Sequence, residues 1–317
     1  MKTWKTLAAA VLLGTAVICA GTDSPWGIAA HPHAAKEWEN IDRQLGMMRD
    51  AGMTSLRHDM KFSRIAAKKG QYDFNSYDEL LEKLDQYGME YLPILEGYDW
   101  EISKSRPDAV PLYRHPEEWR AFVRACARHY RGKLKVWEIW NEPDGGFWKP
   151  DPNAAQFVPL LKIAYEELKA ADPENVVMVG GLCGWNVGYL RDMYAAGAKG
   201  YFDAIAVHPY GWGVDRSAFQ RKRMEEFKTV LAEHGDEESA LWITECGGAT
   251  NRSNLIAQQP DVLIRAIGAA ARKIGRKLPP QLVVGAPVSR EHPDRDFEPS
   301  RNWLPNAKLI PVTPEEL

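Results

Sequence analysis

Two glutamates carry the first suggestion of chemistry. Glu142 ends the run Trp137-Glu138-Ile139-Trp140-Asn141-Glu142 ahead of Pro143-Asp144, and Glu245 ends Leu241-Trp242-Ile243-Thr244-Glu245 about a hundred residues later. Each run is short, apolar, β-branched and aromatic, and stops abruptly in a carboxylate followed by turn residues. A buried barrel strand delivers a side chain to its carboxyl-terminal rim in this way. One strand-end glutamate is usually only a solvated rim residue. Two of them, with Asn141 directly before Glu142, suggest acid/base and nucleophilic work on a glycosidic bond.

Strand alternation puts Glu138, Trp140 and Glu142 on one face, with Glu138 about 7 Å deeper. A carboxylate inside a barrel must be paired, so Glu138 reads as structural, bound to Arg57 or to a neighbouring polar group. Arg57 itself lies on a strand that otherwise points small or apolar groups inward, and needs a carboxylate to justify its burial; Glu245 is the partner expected for it.

The elements that must position these residues alternate along the chain, the signature of a parallel sheet with helical crossovers. Strands are expected at Trp26–Ala30, Thr54–His58, Glu90–Leu95, Val136–Asn141, Val176–Gly180, Asp203–His208, Ala240–Thr244 and Leu282–Gly285. Helices are expected at Lys36–Ala51, Tyr77–Tyr87, Glu117–Tyr130, Ala154–Ala171, Val187–Ala196, Ala218–His234 and Asp261–Ile274. In the fourth helix Phe157, Leu160, Leu161, Ala164, Tyr165 and Leu168 form a stripe, while Lys162, Glu166, Glu167 and Lys169 take the other face. Asp172-Pro173 stops it, because proline disfavours helix in the residue before it. The fold class is therefore α/β, a (β/α)8 TIM barrel over residues 21–286. Residues 287–317 hold six prolines and no helical period, which predicts an irregular tail and an incomplete eighth unit.

The chain has 317 residues, a length that suits one large barrel. It opens with Lys2 and Lys5, an apolar stretch from Leu7 to Ile18, and small residues before a break after Ala20. That is a signal-peptide pattern over residues 1–20, too short for a membrane span, and it predicts a secreted or periplasmic protein. Cys19 also admits a lipoprotein reading, which the bulky Ile18 before it disfavours. Loss of the leader takes away two lysines and lowers the net charge from −3 to −5, with no basic block, which argues against nucleic acid as a partner. The cysteines left are Cys126, Cys183 and Cys246, without paired spacing. Nothing in the sequence bears on oligomeric state.

Asn141-Glu142-Pro143 and Thr244-Glu245, together with Arg57 and His208-Pro209-Tyr210, resemble the retaining glycoside hydrolases of clan A over roughly residues 24–250. The phrases Trp140-Asn141-Glu142-Pro143-Asp144-Gly145-Gly146-Phe147-Trp148 and Phe202-Asp203-Ala204-Ile205-Ala206-Val207-His208-Pro209-Tyr210 are most similar to family 39 and its bacterial exopolysaccharide-hydrolase relatives, with families 5 and 30 close by. The resemblance implies a carbohydrate substrate, no cofactor and no metal. It makes Glu142 the acid/base, with a raised pKa, and Glu245 the nucleophile, with a depressed one. Asn141 would reach the sugar 2-hydroxyl, while His208 and Tyr210 would orient the nucleophile. Trp26, Tyr98, Trp100, Trp148, Trp185 and Trp212 follow strands, so several are expected to form sugar platforms and the rest to close the core under long loops. His31 and His58 read either as substrate-facing or as loop residues. The long segment from Gly97 to Pro116 is the expected substrate-shaping loop.

One departure from the clan lies in the eighth strand, where Leu282-Val283-Val284-Gly285-Ala286 has no aromatic to lie beneath a sugar. Two other readings stay open at this level. A metal-dependent barrel hydrolase would use His31, His33 and His208 as ligands, though it lacks the usual bridging lysine. A catalytically inactive carbohydrate-binding barrel would account for the defective eighth strand.

Overall fold

Eight parallel strands close into a barrel in chain order in the computed structural model, which describes residues 26–31, 41–210, 217–246 and 282–285. They are β1 (Trp26–Ala29), β2 (Ser55–Lys61), β3 (Glu90–Glu96), β4 (Val136–Ile139), β5 (Val176–Cys183), β6 (Ala204–His208), β7 (Ala240–Ile243) and β8 (Leu282–Gly285). The last strand runs beside the first from Trp26↔Leu282 to Ala29↔Gly285 and meets β7 at Ile243↔Leu282. Between them lie α1 (Ile41–Asp50), α2 (Phe62–Ile65), α3 (Asn75–Gln86), α4 (Asp99–Ile102), α5 (Pro116–His129), α6 (Ala154–Ala171), α7 (Val187–Ala195) and α8 (Ser217–Glu233). Among the described residues no helix is long and apolar enough to cross a membrane. The proposed leader, the helix expected at Asp261–Ile274, Trp212 and the tail 287–317 lie outside the described residues.

Two apolar layers follow from the alternation. Inside the barrel, Leu92, Met178, Ala204, Ala206 and Trp242 pack with Ala29, Val136 and Val176. Ala206 stands in register with Trp242, a small residue beside a large one, which lets the indole fill the space without strain. Outside, the stripe of α6 is buried as its spacing predicts: Phe157, Leu160, Leu161, Ala164 and Leu168 are fully covered. Asn153 caps this helix by accepting the Gln156 N–H. Glu167, expected on its solvent face, instead receives Arg120 and Arg124 of α5 at 2.7–2.8 Å and ties the two helices together.

Strand lengths depart from expectation where polar groups find partners inside. β2 continues through Asp59 to Lys61, because Asp59 meets His31 and Lys61 at 3.5 Å and Lys61 meets Glu101 at 2.8 Å. The Gly97–Pro116 segment is folded rather than open, holding α4 and two 3-10 turns, with Asp99 accepting the Leu112 N–H and Arg106 clamped by Asp108 and Glu118.

Candidate active site

The rim residues owe their placement to a break in β4. The strand ends at Ile139, and Trp140 and Glu142 then adopt left-handed backbone with φ of 70° and 45°. Each such residue costs on the order of 1–3 kcal/mol and persists only where its surroundings hold it. Here the Trp140 N–H donates to Leu95 O at 2.8 Å and the Glu142 N–H to Gly181 O at 3.0 Å. The twist overturns the expectation that Glu138, Trp140 and Glu142 share a face. The Trp140 indole leaves the interior for an outer aromatic cluster with Tyr98, Trp119 and Trp148, while Asn141 and Glu142 both turn to the site.

On the neighbouring strand, Gly180 and Gly181 make room. The β5–β6 register shifts between Val179 and Leu182, a bulge that bends the strand at this point. A Cβ on Gly180 would stand 2.0 Å from the Trp140 carbonyl oxygen, and one on Gly181 1.8 Å from His208 Nε2. Only glycine admits the approach. The Gly181 backbone then serves both Glu138 in β4 and Glu142 beyond its end, donating its N–H to Glu138 at 2.8 Å and accepting from the Glu142 N–H.

Arg57 organises the floor. Its guanidinium, 2% exposed, donates to both oxygens of Glu138 at 2.7 and 2.8 Å, to Asn141 Oδ1 at 2.8 Å and to Glu245 Oε1 at 2.5 Å. One buried cation thus satisfies both carboxylates expected of it and aligns the Asn141 amide, whose N–H donors have no hydrogen-bond partner among the described residues. Burial alone would raise the Glu245 pKa. Arg57, His208 and the Tyr210 hydroxyl, which donates at 2.7 Å, outweigh burial and hold it at about 2.

Glu142 and Glu245 face each other across His208. A carboxylate oxygen from each and a ring nitrogen of His208 lie within 4.8 Å of one another, so the two carboxyls are close, as the double displacement of a retaining glycosidase needs. His208 was expected to orient the nucleophile. Its Nδ1 instead stands 3.0 Å from Glu142 Oε1 and 3.8 Å from Glu245 Oε2, so it attends first to the acid/base candidate, and its Nε2 meets Thr244 Oγ1 at 3.1 Å. These three groups are near enough to cradle a cation, but each already has a hydrogen-bond partner. Glu245 is held by Arg57 and Tyr210, His208 by Glu142 and Thr244, and the guanidinium beside them repels positive charge. His31 is on the rim beside Asp59, with its ring 5.6 Å from His58, and does not join His208 as a ligand.

The aromatic residues divide. Trp100 is 40% exposed and stacks on Tyr98 at 4.5 Å, beside a cavity of about 420 Å³ lined also by Asp99, Pro111 and Lys149. Trp148, expected as a sugar platform, is 3% exposed. It packs on Trp140 and Phe157, donates its indole N–H to Gln156, and has no free face. Tyr98 and Trp185 are likewise buried. His31 is 57% exposed. Sequence reasoning passed over Thr244 and the glycine pair. Parity with the inward Trp242 was the signal available for Thr244; nothing local marked the glycines.

The sequence model described as Cellulase (glycosyl hydrolase family 5) matches residues 19–273. The chain is 22% identical over 249 residues to a beta-xylosidase of Geobacillus stearothermophilus, covering 68% of this chain and 48% of that protein. It is 24% identical to human Klotho over 131 residues, 39% of this chain and 13% of Klotho. Among solved structures, a family 39 glycoside hydrolase from Bacteroides cellulosilyticus WH2 superposes with a TM-score of 0.61 at 18% identity, covering 82% of this chain and 56% of that one. An exo-beta-1,4-mannosidase from Opitutaceae bacterium strain TAV5 superposes with a TM-score of 0.62 at 17% identity, covering 82% and 51%. The chain thus spans between 13% and 56% of the length of these proteins. At such identities the structural likeness speaks for the fold.

Proposed function

The chain belongs to glycosyl hydrolase family 5, and from that premise we propose that it hydrolyses an O-glycosidic bond of an oligo- or polysaccharide with retention of anomeric configuration. One observation carries the reading: an oxygen of Glu142 and one of Glu245 lie within 4.8 Å of each other on one rim, and Glu245 is held ionised by Arg57, His208 and Tyr210. Glu245 attacks the anomeric carbon and forms a glycosyl-enzyme, while Glu142 gives its proton to the departing oxygen. Glu142 then takes a proton from water, whose oxygen displaces Glu245. The Asn141 amide donates to the 2-hydroxyl, a contact that strengthens as positive charge grows on the ring. Trp100 offers its exposed face to a sugar further along the chain.

Paired substitutions test the roles. Glu245→Ala is expected to abolish turnover and to recover part of it with azide, a small anion able to fill the vacated space. Glu142→Ala should spare aryl glycosides with good leaving groups, which need little protonation. Identical behaviour of the two variants on activated and unactivated substrates refutes the assignment, and sugar binding without turnover on any glycoside refutes the activity. The reading also places the protein outside the cytoplasm, supported by the leader pattern of residues 1–20. A mature amino terminus at Gly21 in the exported fraction supports this, and an intact Met1 there refutes it.

A further inference from the structure

A chain of hydrogen bonds runs from the floor of the barrel to Glu142. Arg57 grips Glu138 with two N–H groups, and Gly181 adds a third donor. Thr244 Oγ1 donates to Glu138 Oε1 at 3.3 Å, His208 Nε2 lies 3.1 Å from that same Oγ1, and His208 Nδ1 lies 3.0 Å from Glu142 Oε1. Every member but Glu142 is buried: Arg57 2%, Glu138 0%, Thr244 0% and His208 1% exposed.

Counting protons along the chain fixes its direction. Glu138, a carboxylate gripped by a guanidinium, can only accept. The single Thr244 hydroxyl proton is therefore spent on Glu138, and toward His208 the oxygen offers only a lone pair. His208 Nε2 must carry a hydrogen to satisfy it. A neutral imidazole protonated at Nε2 presents a bare Nδ1, and the hydrogen between Nδ1 and Glu142 Oε1 then belongs to the glutamic acid. We propose that Thr244, acting through His208, is the positioning residue that keeps the acid proton on Glu142. The proposal rests on the acid/base role given to Glu142 above.

Other charged groups face His208 as well. Glu245 Oε2 is 3.8 Å from Nδ1 and favours a second proton on the ring, but its charge is already taken by Arg57 and Tyr210. The Tyr210 ring stands 6.4 Å from the imidazole, and on the side of β5 the Gly181 backbone lies against the ring. Cys183, at the end of β5, contacts Glu142 and Asp144 rather than the ring, and its thiol is pushed up by burial and by those two carboxylates. Among the described residues, Thr244 is the hydrogen-bond partner of Nε2.

Thr244→Val keeps the shape and removes the hydroxyl. Without a partner at Nε2 the ring turns to its Nδ1–H tautomer and donates to a Glu142 carboxylate. The basic limb of the kcat/KM profile should then fall by about one pH unit, a tenfold change in the proton equilibrium. The loss in rate, on the order of tenfold, should be confined to substrates with poor leaving groups. Thr244→Ser should restore the wild-type profile. An unmoved basic limb in Thr244→Val, or an equal loss on activated and unactivated substrates, overturns the proposal. Nitrogen NMR of histidine-labelled wild-type protein, with His208 assigned through its loss in His208→Gln, tests the relay without turnover. A protonated Nε2 beside a bare Nδ1 supports it; the reverse tautomer or an imidazolium at neutral pH overturns it. Failure of that spectrum overturns the relay and leaves the hydrolase reading standing, whereas failure of azide rescue beside the expected spectrum strikes the hydrolase reading and with it the acid role of the Glu142 proton.

Discussion

Glu142 and Glu245 are chemically identical side chains set apart by their neighbours. Glu245 has a guanidinium at 2.5 Å and a phenol at 2.7 Å, and these hold it ionised although it is largely enclosed. Glu142 has the His208 ring. For a group with a depressed pKa, the useful, charged form exists above that pKa and disappears as pH falls through it. The acid limb of kcat/KM should accordingly lie well below the ordinary glutamate range, near the value of about 2 held by Glu245. Tyr210→Phe removes one of the groups that stabilise the charge, so the limb should move upward and kcat should fall. A limb near 4.5 in the wild type, unmoved by the substitution, shows that Arg57 and Tyr210 do not govern the nucleophile.

Where β4 meets β5, backbone rather than side chain sets the site. Two left-handed residues turn Asn141 and Glu142 into the cleft, and the Gly180-Gly181 bulge receives them. Gly181→Ala would push a methyl group into His208, with about 1–3 kcal/mol of overpacking strain. The catalytic rate should suffer more than the melting temperature does, because the displaced ring is the one that contacts Glu142. Wild-type kcat/KM in Gly181→Ala rules out this account of the bulge. The aromatic residues around the same turn separate by burial. Trp148→Ala should cost about 3–5 kcal/mol in thermal unfolding, as expected for a buried indole. Trp100→Ala should leave the melting temperature near wild type and raise KM for long oligosaccharides; the opposite pattern would reverse their roles.

For the molecule as a whole, the buried Arg57–Glu138–Glu245 group couples activity to stability. A lone buried charge is costly, so Glu138→Ala should destabilise the barrel by about 3–5 kcal/mol. Glu245 has its pKa lowered from 4.5 to about 2, which links folding to protons. Its contribution is complete above the unfolded value and is lost as pH falls from about 4.5 through about 2, amounting to ~3 kcal/mol. Melting temperatures followed between neutral pH and pH 2.5 should drop less steeply in Glu245→Gln than in the wild type. Parallel curves would mean that other carboxylates, such as Glu167 beneath Arg120 and Arg124, carry the acid lability.

Period and punctuation sufficed to read the barrel. Strand runs spaced by amphipathic helices, carboxylates at strand ends and Asn141 before Glu142 are local features, and each element expected within the described residues forms within a few positions of its place. Helix α6 shows why: spacing alone decides which residues face the sheet. The contents of the site were less legible, because they depend on contacts between strands distant in sequence. Trp148 looked like a platform until three other rings covered it. Trp140 seemed to share a face with Glu138 and Glu142 until left-handed backbone at Trp140 broke the alternation and sent its indole outward. His208 looked like a partner of Glu245 until the bulge in β5 set it against Glu142 and Thr244. Alternation and helical period are properties of one segment, and so appear in the sequence. Which carboxylate a ring or a guanidinium reaches depends on distances between segments, and only closure of the barrel creates those distances.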